Sequence, residues 1–231
     1  MRKTFLGVLV LAAALVLGGW AYGEEQGTTA KPETNKPKTT KVTKKKIVKE
    51  TVKKHEQAVK DHLQMAKEKY KKGEMKASAT ELKEQAKMMR EEGNREGSDK
   101  SALDAAAAKL ETLADSVEKG AVKSEKDIDA AADSAYMSLA KHYNTMAKNG
   151  WAKDKVAAAK DLKESSKAFE KALKSQDKEM DKDYAAAIKN AKMAANKVVT
   201  KAKYTEEEVG KAITHLGVKI EDHAAKLAPP K

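Results

Sequence analysis

One heptad-spaced stripe, written three times, constrains this chain more than any other feature. Its first copy is Val48, Val52, His55, Val59, His62 and Ala66. Its second is Ile128, Ala132, Ala135, Leu139, His142 and Met146, and its third is Val209, Ile213, Leu216, Ile220, His223 and Leu227. Within each copy the steps alternate between four and three residues, which lines up one side of an α-helix. The fifth position is histidine every time, and His62, His142 and His223 follow one another at intervals of 80 and 81 residues. A chain that repeats a buried helical stripe at such a period folds as packed helical units rather than as a sheet.

The sequence between the copies supplies two more helices per unit. Gly73 stops the first helix, and a second stripe follows at Met75, Ala79, Leu82, Ala86 and Met89. A loop from Gly93 to Ser98 leads to a third stripe, Leu103, Ala106, Leu110, Leu113 and Val117, which stops at Gly120. The second unit carries Val156, Ala159, Leu162, Ser166, Phe169 and Leu173, then Tyr184, Ala187, Ala191, Ala194 and Val198. A break between these two is expected near Ser175-Gln176-Asp177, although no glycine or proline marks it. Asn149-Gly150 reads as the turn before the first of them. Ser101 with Asp104, Ser124 with Asp127, and Thr205 with Glu208 have the form of capping boxes.

The expected fold is therefore all-α: seven helices in the order A-B-C, A-B-C, A. The first unit spans 47–122, the second 123–203 and the closing helix 204–231. Short turns imply antiparallel neighbours. The unpaired seventh helix suggests that each A helix closes a four-helix bundle, the second A being shared; a solenoid-like stack is the alternative. Alanine dominates the apolar positions and aromatics are only 4% of the chain. Alanine favours helix and close helix approach, but it buries little area per residue.

The N-terminal part has a different character. Residues 1–23 combine Met1-Arg2-Lys3, an apolar run from Phe5 to Trp20, and the small residues Ala21 and Gly23. That is the pattern of a signal peptide cleaved after Gly23, and it places the protein in the periplasm or outside the cell. Residues 24–46, rich in Lys, Thr and Pro, are too poor in apolar side chains to offset ordering entropy and read as a disordered tether. Residues 1–54 carry +8 of the net charge of +12. The tether's Thr39–Lys46 stretch, with Lys41, Lys44, Lys45 and Lys46, is a candidate binding site for anionic envelope polymer or lipid. Nucleic acid is a poor candidate behind a signal peptide, and the tether has no aromatic to stack on a base.

Little in the sequence carries catalytic chemistry. There is no cysteine, hence no thiolate nucleophile, no zinc–thiolate site and no covalent haem attachment. No phosphate-binding glycine loop or nucleophile elbow is present. The acidic residues are interspersed with lysine along helix faces, as solvated ion pairs are. His62, His142 and His223 are candidate metal ligands, for copper or zinc, if the A helices bring them together. With methionine they also form a candidate non-covalent haem site. The competing roles are structural: an imidazole filling a half-buried seam, or one that loosens the bundle in acid because it is costly to charge. The methionines have core spacing, and Tyr70 and Trp151 are expected to cap the bundle ends. The function expected from these features is binding or protection: an exported, non-enzymatic helical bundle of the bacterial envelope, with a stress-response role and an envelope protein as partner. The alternatives are the metal or haem bundle and the polyanion adaptor.

Overall fold

The computed structural model describes residues 62–122, 124–175 and 180–227. The signal-peptide and tether readings, including Lys41, Lys44, Lys45 and Lys46, lie outside the described residues, as do Val48, Val52, His55 and Val59 of the first stripe. Within the described residues the chain is all-helical, with no strand. Seven helices are α1 (62–71), α2 (Met75–Gly93), α3 (Lys100–Glu118), α4 (Glu125–Gly150), α5 (Lys155–Lys174), α6 (Lys182–Val199) and α7 (Glu206–Leu227). No described helix is long and apolar enough to cross a membrane. The expected break after Ser175 is present, and α5 and α6 are separate helices.

The stripes explain the packing. In α4, Ile128, Ala132, Ala135, Leu139 and His142 are buried, and in α7 Val209, Ile213, Leu216, Ile220 and His223 are buried. Leu227, the last residue of α7, is exposed, and so is Val156 in the first turn of α5, which the stripe had placed in the core. Helix α4 packs on α3, α5 and α7; α5 packs on α6, and α6 on α7. Helices α4 to α7 thus form a closed four-helix ring. Cross-helix pairs set antiparallel neighbours: Lys141 with Glu221 between α4 and α7, and Lys197 with Glu208 between α6 and α7. On the other side of α4, α1 is held by Lys67, which reaches both Glu125 and Asp129.

Many of the fully buried residues are alanines, among them Ala86, Ala107, Ala140, Ala159, Ala172 and Ala191. Two buried serines staple neighbouring helices: Ser78 Oγ donates to the Ala66 carbonyl and Ser165 Oγ to the Ala140 carbonyl, each at 2.7 Å. Between α4 and α7, Gly217 leaves room for the Asn144 side chain: a Cβ there would lie 2.6 Å from Asn144 Nδ2.

The helix starts correct the capping expectations. Helix α3 starts one residue before Ser101, capped by Asp99, which accepts from Ala102 N–H; Asp104 faces Arg90 instead. Ser124 makes no cap bond, its hydroxyl lying 3.5 Å from Asp127 Oδ2. Thr205 does cap α7, accepting from Glu208 N–H at 3.1 Å, while the Glu208 side chain goes to Lys197. Asp154 and Asp181 cap α5 and α6. Helix α4 runs through Asn149-Gly150, and the turn follows it.

Three helix ends share one device. After α1, Gly73 N–H bonds the Tyr70 carbonyl and Glu74 N–H the Lys69 carbonyl, with Gly73 at φ +78°. After α3, Gly120 does the same at φ +66°. After α6 the pattern recurs with Lys201 in the glycine's place at φ +59°. These are Schellman motifs, whose left-handed residue is normally glycine because it has no Cβ to clash.

Candidate functional site

The three seam histidines occupy three different settings. His62 Nδ1 lies 2.6 Å from Glu81 Oε2 on α2, and Lys69 bonds the other oxygen of that carboxylate. Burial pushes the Glu81 carboxyl up, but the bonds from Lys69 and His62 outweigh it and hold it below the usual carboxylate value. His142, almost wholly buried, lies 3.3 Å from Glu92 Oε1 through Nε2 and 3.3 Å from Ser98 Oγ through Nδ1. His223 packs edge-on against Phe169 of α5 and Tyr184 of α6, with centroids 5.9 and 5.7 Å away. Burial lowers its pKa, against an opposing pull from Asp133. The structure does not bring His62, His142 and His223 together. Among the described residues no three His, Asp or Glu side chains are grouped as a metal site requires.

A polar assembly surrounds His142. Arg95, in the α2–α3 loop, pairs through one arm with Glu92 and through the other with Asp161 on α5, 3.1 Å away. Its guanidinium also lies 6.0 Å from the centre of the Tyr143 ring. Glu92 and Asp161 are both buried. Their environments push them apart. Burial raises Glu92, yet His142 and Arg95 outweigh it and hold it low. Burial raises Asp161, and Arg95 only partly offsets this. Burial, helped by the Glu92 charge, also raises the Tyr143 phenol, keeping it neutral. Sequence reasoning missed this cluster. One signal was available: arginine occurs only at positions 2, 90 and 95 in a chain with 47 Lys and Arg. Arginine is the cation whose fork serves two carboxylates at once. The groups are spent on one another, joining α2, the α2–α3 loop, α4 and α5.

A second feature faces outward. An open groove of about 370 Å³ runs between α6 and α7, lined by Asn190, Met193, Ala194, Glu208, Lys211, Ala212 and His215. A shallow apolar surface continues it along α7 through Gly210, Thr214 and Val218. Its floor is alanine, so the helices meet closely and the longer side chains stand as walls. Glu208 is held by Lys197 at 2.6 Å, and Lys211 by Glu207 at 2.6 Å. The side chains of Asn190, Met193 and His215 make no hydrogen bond, ion pair or ring contact with described residues. Met193 is 48% exposed, which departs from the core role its spacing suggested, and Met65 is exposed too. Met88, Met89 and Met137 are buried as expected.

Tyr70 and Trp151 are half-buried against the core. Tyr70 donates to the Val122 carbonyl at 3.0 Å, and Trp151 stacks edge-on with Tyr204 at 6.4 Å. Both close bundle ends. In comparisons with known proteins, no family model, no curated protein and no solved structure matches the chain.

Proposed function

We propose that the protein is an exported, non-enzymatic helical bundle of the bacterial envelope that protects by binding, with the α6–α7 groove as its binding surface. One observation carries the reading. The carboxylates and the imidazole at the α2–α4–α5 junction are buried and engaged with one another, whereas the groove presents unengaged polar and thioether side chains over an alanine floor. Concave, partly apolar surfaces with a few convergent polar groups are where ligands bind. The signal-peptide pattern of residues 1–23 supports the compartment.

Complementation tests it. A host strain lacking the protein is given the full chain, the chain without residues 1–23, or the full chain carrying Met193→Glu and His215→Glu. Only the first should restore tolerance to envelope stress, with the groove variant exported to the same level. A strain whose tolerance does not depend on the protein, or rescue by the leaderless chain, would overturn the proposal.

A further inference from the structure

We propose that the α6–α7 groove binds a soft monovalent d10 cation, copper(I) or its redox-inert counterpart silver(I), between Met193 Sδ and a ring nitrogen of His215. This rests on the groove being the binding surface. The pairs Lys197–Glu208 and Lys219–Asp183 fix α6 and α7 in antiparallel register. Met193 and His215 therefore stand on facing walls of one groove, offset by about one turn, roughly 5.4 Å along the axis. The unbranched methionine side chain has three rotatable bonds with which to close that offset.

The donor set selects the ion. Thioether sulfur is a soft ligand that favours copper(I), and imidazole suits copper. Two such donors suffice for a linear d10 centre. Harder ions need more: zinc takes four ligands and calcium six or more oxygens. Here the carboxylates Glu207 and Glu208 are already held by Lys211 and Lys197. The other described histidines are committed to Glu81, to Glu92 and Ser98, and to the Phe169–Tyr184 pair. With no cysteine in the chain, no thiolate competes for the ion.

The purified full chain is titrated with copper(I) under anaerobic conditions against a chromophoric copper(I) chelator, alongside Met193→Leu and His215→Gln. Silver(I) is titrated in parallel while the Met193 methyl resonance is followed. One equivalent should bind, each variant should weaken binding by about tenfold or more at unchanged helicity, and the Met193 methyl should shift. Absence of binding, or binding that survives both substitutions, overturns the site. If groove variants abolish protection while the chain binds neither ion, only the choice of ligand fails and the binding surface stands.

Discussion

At the scale of single residues, the chain relies on short polar side chains at helix starts and on one arginine at a junction. Asp154 accepts two backbone N–H groups, from Val156 and Ala157, whereas Ser124 accepts none. Asp154→Ala should therefore cost about 1 kcal/mol, and Ser124→Ala close to nothing, in denaturant unfolding of the two variants. Arg95 carries more. Replacing it with Met leaves Glu92 and Asp161 buried without their shared cation. The expected loss is about 2–3 kcal/mol, less than for a fully buried pair because 32% of the arginine side chain is exposed. The deficit should shrink as pH falls, since the two carboxylates can then take up protons instead of remaining charged. A deficit that does not change with pH would show that Arg95 acts by packing alone.

At the scale of helices, what was legible in the sequence was periodicity. A stripe of buried residues is a property of one helix, so α2, α3, α4, α6 and α7 could be read directly, whereas Val156, assigned to the α5 stripe, is exposed. The caps were less legible, because Ser-x-x-Asp occurs wherever small polar and acidic residues mix, and only geometry separates Thr205 from Ser124. The helix ends show the same limit. Gly120 announces its stop, while Lys201, 81 residues later, performs it unannounced. Lys201→Gly should relieve a left-handed backbone that costs an L-residue about 1 kcal/mol. Thermal unfolding should then rise by about 2–4 °C for a chain of this size. Helix α7 offers a matched pair. A Cβ at Gly210 meets nothing within 4 Å, whereas one at Gly217 would press on Asn144. Gly210→Ala should stabilise by about 0.5–1 kcal/mol through helix propensity. Gly217→Ala should forfeit that gain, because α4 and α7 must separate or Asn144 must turn.

At the scale of the whole molecule, closure of the ring by α7 was foreshadowed by the unpaired third stripe, but no stripe states which helix lies beside which. That is why the stripes left open whether the seam histidines converge, and in the structure each has surroundings of its own. Their fates differ because their neighbours differ: His62 and His142 meet carboxylates, whereas His223 enters the aromatic centre of the α4–α7 ring. The groups facing it are Asp133 on α4, Phe169 on α5, Tyr184 on α6 and, on α7 itself, Lys226, which bonds the Tyr184 hydroxyl at 2.8 Å. Burial depresses the His223 pKa below its ordinary 6.5. The unfolded chain therefore takes up the proton first as pH falls. The stability this residue contributes is complete above its unfolded pKa and is lost progressively as pH drops through 6.5 toward the lower folded value. Between about pH 7.5 and about pH 5.5, above the range in which Glu81 and Glu92 titrate, the Tm should fall, and His223→Gln should flatten that dependence while lowering the Tm at neutral pH. Because His223 sits where α7 joins the ring, hydrogen exchange in α7 should quicken in acid before exchange in α2 and α3. An equal response of all helices, or an unchanged pH profile in the variant, would place the acid sensitivity elsewhere in the fold.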